Sequence, residues 1–144
     1  MRNRRQPTRH KRPLIAEGSE NWIQQQFFKH CADLEILYPE LALIHSIPNG
    51  AHKSRASQYV FKVTGLKSGV PDVSFPVARC GFHGMYIEFK SKTGRISPEQ
   101  RWWTDKLTEQ GFLVLTCRDW ETAAQSVEEY LSGTFAIRST PEKK

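Results

Sequence analysis

Apolar and polar positions change period several times along the chain, and each change marks an element. From Ser19 onward Ile23, Phe27, Cys31 and Leu34 recur at helical spacing. Ser19 can accept a free N–H of the first turn as an N-cap, and Pro39 is the predicted stop. Leu41 to Ile47 (LALIHSI) predicts a short strand or extended segment, and Pro48 to Arg55 (PNGAHKSR) a turn-rich basic loop. Ala56, Tyr59, Val60 and Val63 return to i, i+3, i+4, i+7 spacing, so a short helix is predicted up to Gly65 as its C-terminal glycine. The period then falls to two. Asp72 to Val77 (DVSFPV) and Met85 to Lys90 (MYIEFK) alternate as strands, joined through the glycine-bounded RCGFHG turn. Pro76 has no N–H to give, which predicts an edge or a bulge in the first of them. Ser97-Pro98-Glu99-Gln100 combines an N-cap serine, proline at the first helical position and glutamine at the third, a capping box. The helix it opens carries Trp103 and Leu107 and ends near Gly111. Phe112 to Cys117 (FLVLTC) is an apolar run and predicts a strand covered on both faces. Asp119 caps a last helix through Tyr130 and Leu131, ended by Gly133, with a frayed end after it.

Helix, strand, helix, β-hairpin, helix, strand, helix predicts an α/β domain with a mixed central sheet flanked by helices. A length of 144 residues suits one such domain. No apolar run approaches the roughly 20 residues that cross a bilayer, which argues against a membrane protein. There is no internal repeat, and no glycine-rich loop of the kind that cradles a nucleotide cofactor.

Charge adds a boundary. The net charge is +6, yet Arg2, Arg4, Arg5, Arg9, Lys11 and Arg12 fall among the first thirteen residues without one acid. The remaining basic residues are balanced by the 15 acids, so the body is near neutral and the excess lies in a tail. The sequence divides into a basic tail at 1–16, a folded domain at 17–134 and a frayed end at 135–144. Arg4 and Arg5 are candidates for phosphate contact, solubility being the plainer role of such a block. Pro7, Pro13 and the lack of apolar residues before Leu14 spoil the amphipathic helix of a transit peptide. Cys31, Cys80 and Cys117 are odd in number and dispersed, which points to a reducing compartment and away from disulfides or zinc. The expected location is the cytoplasm, of a bacterium or of a phage-infected host cell.

Alternation in MYIEFK puts Glu88 and Lys90 on one face and Ile87 and Phe89 on the other. Asp72 opens the preceding strand after Gly69-Val70-Pro71, and in a hairpin it can meet Glu88 on the same face. Two carboxylates and a lysine at one point are what phosphodiester hydrolysis asks for. Carboxylates hold a divalent cation, and an ammonium faces the phosphate. An acid and a base two residues apart are, by themselves, more often a solvated strand face. The Asp72 segment on the neighbouring strand is what raises the pattern above that.

GVPD followed by IEFK resembles the core of PD-(D/E)xK nucleases, and the surrounding residues resemble the VRR-NUC family of virus-type replication and repair nucleases. The resemblance rests on Ser19-Glu20, Pro48-Asn49-Gly50, Gly65, Gly69 to Asp72, Ile87 to Lys90 and Ser97 to Gln100, and runs from about Ser19 to Gly133. It implies a restriction-endonuclease-like core and a divalent-metal-dependent endodeoxyribonuclease using Mg2+ or Mn2+. Asp72 and Glu88 would ligate the metal, with the backbone carbonyl of Phe89 a further ligand. Lys90 would orient the attacking water or stabilise the transition-state charge. Glu20 would reach the metal directly or through water; an acid favoured by the helix dipole is its plainer role, and Glu17 is the fallback. Gln100 has two compatible roles, closing the capping box and binding Lys90 or the phosphate. Asn49 either shapes a turn or contacts DNA. His52, Lys53, Arg55 and Lys67, with Lys62, suit phosphate contacts. Trp102 and Trp103 cannot both face the core, so one is expected at an interface or stacked on something.

No base-reading module is visible, which favours recognition of DNA shape and backbone. Stand-alone VRR-NUC proteins of this size resemble four-way (Holliday) junction resolvases, and a symmetric homodimer would place two nicks about a two-fold axis. Cleavage of flaps or other branched DNA is the alternative within the same chemistry. A DNA-binding accessory protein without cleavage is the alternative outside it.

Overall fold

The computed structural model of the chain describes residues 14–48 and 54–136. Helix α1 spans Glu20–Leu34 with the Ser19 hydroxyl capping the N–H of Trp22 at 3.2 Å. It ends before Pro39, which instead opens a 3-10 helix, Pro39–Leu43. That turn consumes most of the segment predicted as a strand, leaving β1 with two residues, His45–Ser46. Helix α2 spans Arg55–Val63. It closes on Gly65 at φ +102°, where Leu66 N–H donates to Phe61 C=O at 2.8 Å, a geometry that favours glycine. Strands β2, Val73–Phe75, and β3, Met85–Phe89, form the hairpin. Helix α3, Pro98–Glu109, strand β4, Leu113–Cys117, and helix α4, Trp120–Ser132, complete the chain's order of elements.

The four strands form one sheet in the order β1-β2-β3-β4, antiparallel up to β3 and parallel between β3 and β4. The parallel pair needs a crossover, which α3 provides. The fold is therefore α/β with a mixed sheet, as predicted, and two details differ. Strand β2 is an inner strand that stops before Pro76, so neither an edge nor a bulge is needed to place that proline. Strand β4 is an edge strand with Thr116 exposed, rather than covered on both faces; an apolar run alone does not distinguish these.

One face of the sheet carries Val73, Phe75, Met85, Ile87 and Phe89, each no more than 1% exposed. Helices α1 and α4 cover it. Phe27 meets Phe89 with ring centroids 5.3 Å apart, and Phe75 meets Tyr130 at 6.2 Å. Full burial of each such side chain stabilises by roughly 1.5–3 kcal/mol. The Tyr130 hydroxyl donates to Val77 C=O at 2.6 Å and accepts from Arg79 N–H at 3.1 Å, so the ring is buried without an unpaired oxygen. Phe135, assigned from the sequence to the frayed end, packs against this core; residues 137–144 lie outside the described residues. The opposite face presents Ser74, Tyr86 and Glu88 towards α3, with Phe112 edge-on to Tyr86 at 5.3 Å. That face carries Glu88, one of the candidate site residues.

Candidate active site

Register brings the carboxylates together. Val73 pairs with Ile87, so Asp72, one residue before, falls beside the end of β3 on the face of Glu88. Asp72 Oδ2 accepts the Phe89 N–H at 2.7 Å, tying the mouth of the hairpin shut. Glu88 Oε1 lies 2.9 Å from Lys90 Nζ. Asp72, Glu88 and Lys90 are the buried charged residues of the described structure, at 8%, 5% and 7% exposure. This is not the solvated strand face that an acid and a base two residues apart usually form.

Helix α3 closes the site from the other side. Its capping box is complete. The Ser97 hydroxyl accepts the Gln100 N–H at 3.1 Å, and the Gln100 side-chain oxygen accepts the Ser97 N–H at 2.9 Å. The same side chain's Nε2 donates to Glu88 Oε1. Cap and site contact therefore coexist in one residue, and the amide meets Glu88 rather than Lys90. Gly69, at φ +84°, makes the approach possible: a Cβ there would stand 2.7 Å from the Glu99 backbone carbon. Trp103 Nε1 adds a bond to Ser68 C=O at 2.9 Å, fastening the loop before Asp72 to α3.

Glu20, the first residue of α1, sits 3.8 Å from Lys90 Nζ and accepts the Ser91 N–H at 3.4 Å. Glu17 is exposed ahead of the helix. Glu20 thus reaches the site through Lys90, and among the described residues no group of three or more His, Cys, Asp or Glu could hold a metal ion. Phe89 contributes its backbone, its ring being buried in the core. Arg55 and Lys67 are exposed, at the start of α2 and in the loop before Gly69. Asn49, His52, Lys53, Arg4 and Arg5 lie outside the described residues.

Burial and crowding of like charge set the electrostatics. Glu88 is pushed up to about 7 from an ordinary 4.5, chiefly because it is removed from water and then because Asp72 repels it; Lys90 works against both. Asp72 is also raised by burial, opposed by the Phe89 N–H and by Lys90. Two buried hard-oxygen donors that repel each other are a fit for a divalent cation, which would relieve the cost of ionising both.

Sequence reasoning missed the support behind Lys90. Arg118 Nη1 donates to the carbonyls of Ser91 at 2.6 Å and Gly94 at 2.9 Å, holding the turn that follows β3. A Cβ on Gly94 would lie 2.9 Å from Glu20 Oε1 and 3.3 Å from Lys90 Cδ. The glycine was visible, but nothing local links Arg118 to that turn.

A mixed-sheet α/β core with a buried carboxylate–lysine face defines the class of this protein. The family model of the VRR-NUC domain matches residues 9–120, and the chain belongs to the VRR-NUC domain family, whose members are nucleases acting on DNA. A solved structure titled "VRR_NUC domain protein" superposes with a TM-score of 0.66 over 83% of this chain and 93% of that chain, at 20% identity. At that identity the likeness establishes a shared fold. No curated protein matches the sequence. No helix among the described residues is long and apolar enough to cross a membrane.

Proposed function

We propose that this nuclease is a divalent-metal-dependent endonuclease that resolves four-way DNA junctions by paired nicks as a homodimer. The observation that carries the metal-dependent chemistry is the buried Asp72–Glu88–Lys90 cluster with Gln100 bonded to its central carboxylate. Asp72 and Glu88 would hold Mg2+ or Mn2+, with the Phe89 carbonyl as a further donor and Glu20 reaching the ion through water. When bound, the ion supplies positive charge where the phosphate gathers negative charge.

The chain's own residues do the rest. Gln100 fixes the carboxylate plane of Glu88, because its amide oxygen is already held by the cap of α3. Lys90 carries three donors, enough to keep Glu88 at 2.9 Å and to meet the attacking water or a phosphate oxygen. Held in a buried position, its ammonium needs no reorganisation as charge develops.

Two features support a dimer acting on branched DNA. Exposed Arg55 and Lys67 suit contacts to the DNA backbone, which position DNA without reading its bases. And the apolar stripe of α2 is open: Tyr59, Val60 and Val63 are 69%, 53% and 62% exposed, while Ser57 and Phe61 are partly buried. A contiguous apolar patch of this kind marks a protein contact, and a two-fold pairing of copies presents two active sites to a two-fold junction.

The test compares cleavage of a labelled four-way junction, a flap and a linear duplex, with magnesium, with manganese and with EDTA. Paired, metal-dependent nicks in the junction are the expected result. Preferential flap cutting would make this a flap nuclease, and tight binding without cutting in any metal would make it an accessory protein.

A further inference from the structure

Next to the carboxylates lies an open cleft of about 560 Å3, lined by Lys67, Ser68, Pro98, Glu99, Trp102 and Trp103. The catalytic chemistry uses none of these side chains. Trp102 is 56% exposed, an unusual place for an indole on a small protein. It is also held. Trp103 bonds to Ser68 C=O at 2.9 Å and stands edge-on to Trp102, with centroids 5.5 Å apart and planes at 89°.

We propose that this cleft is a stacking site for an unpaired nucleobase of the DNA substrate, with Trp102 as its platform. Position supports it. The cleft shares the first turns of α3 with Gln100, which bonds Glu88, and it shares the loop that leads through Gly69 to Asp72. A strand whose phosphate reaches those carboxylates carries its neighbouring nucleotides past the cleft. The lining is mostly apolar, which suits the flat face of a base, and two charged side chains stand beside it. Lys67 can meet a phosphate, Glu99 can accept from an exocyclic amino group, and the indole offers a flat face. Paired bases inside a duplex are stacked on both sides and have no face to give. A base at a branch point, gap or flap does. The cleft would therefore favour DNA with unpaired or unstacked bases without reading sequence, and this holds whichever branched form is cut. It rests on the chain acting on DNA.

Binding is measured by anisotropy in EDTA, so that no strand is cut, using a fully paired duplex, the same duplex with a short single-stranded gap, and a four-way junction. Trp102→Ala is expected to weaken binding to the gapped duplex by about ten- to a hundredfold while changing the paired duplex little. Trp102→Phe should retain most of the affinity. A 5-iodouracil in the gap should photocrosslink to residue 102 of the unaltered protein. Equal affinities of Trp102→Ala and the parent for gapped DNA, or an equal loss on both duplexes, would overturn the proposal. So would a fall in oligomeric size in Trp102→Ala, which would assign the cleft to self-association. A protein that prefers gapped DNA through Trp102 but leaves junctions uncut would overturn the junction reading alone.

Discussion

Asp72 accepts the backbone N–H of Phe89 at 2.7 Å, which joins the first residue of the site on one strand to the backbone between Glu88 and Lys90 on the next. One carboxylate oxygen thereby serves the fold, while the proposed metal-binding role asks for the negative charge. Substitutions can separate the two. Asparagine can still accept the Phe89 N–H, whereas alanine leaves a buried donor unpaired at a cost of about 1–3 kcal/mol. Because burial raises Asp72, removing its charge also relieves a desolvation cost. Asp72→Asn should abolish cleavage yet melt no lower than the parent in EDTA, and Asp72→Ala should be equally inactive and melt lower than Asp72→Asn. Full activity of Asp72→Asn would remove Asp72 from the metal-binding role.

The raised Glu88 predicts how stability depends on pH. Its folded value of about 7 lies above the ordinary 4.5, so the folded state holds this proton more tightly than the unfolded chain does. The sign follows: the stabilising contribution is complete below about 4.5 and is lost as pH rises through about 7. The range at stake is on the order of 3 kcal/mol. Melting curves of the parent and Glu88→Gln in EDTA should show the parent losing ground to the variant between pH 5 and pH 8. Added magnesium should restore the parent at pH 8 and leave Glu88→Gln nearly unmoved. A pH-independent difference between the two proteins would refute the buried-carboxylate electrostatics.

How much of this was legible in the sequence depends on how far each signal reaches. The faces of Glu88 and Lys90 follow from strand alternation, and the Ser97–Gln100 box from a four-residue pattern; both are local and both are observed. The approach of Asp72 to Glu88 needed one further step, that consecutive strands pair, which hairpins make reliable. Beyond that range the signals weaken. Alternation cannot tell that the apolar run of β4 ends up at a sheet edge. Leu41 to Leu43 look like strand residues, yet Pro39 starts a 3-10 turn that takes them. Helical periodicity correctly placed α2, but it reports an apolar face and not what the face meets. Arg118 reaches Ser91 from the far end of the neighbouring strand, a contact only the parallel β3–β4 pairing creates.

Lys90 tests the division between binding and turnover. Its side chain is 8% exposed and held between Glu88 at 2.9 Å and Glu20 at 3.8 Å, so it is a fixed charge beside the buried carboxylates and not a mobile surface contact. Removing one preorganised electrostatic group commonly lowers turnover by roughly a hundred- to a thousandfold. Lys90→Ala should show a loss of that size in single-turnover cleavage, with DNA affinity changed by less than about threefold. Parallel losses in both would make Lys90 a phosphate contact, the role the sequence leads one to expect of Arg55 and Lys67.

The exposed stripe of α2 offers the most direct test of the dimer. Tyr59, Val60 and Val63 contribute little to the monomer's core, being half or more exposed. A charge placed among them should therefore leave the monomer folded, with a stability change within about 0.5 kcal/mol. In an isologous interface the same substitution meets itself across the two-fold axis, so the penalty is doubled there. Val63→Asp should convert a dimer into a monomer in light scattering at micromolar concentration. It should also replace paired nicks in a four-way junction with single, uncoordinated ones, because Asp72, Glu88 and Lys90 remain intact in each copy. If Val63→Asp stays dimeric, α2 is not the interface and another surface joins the copies. If the parent itself is a monomer that makes paired nicks, coordination by a dimer is wrong for this protein.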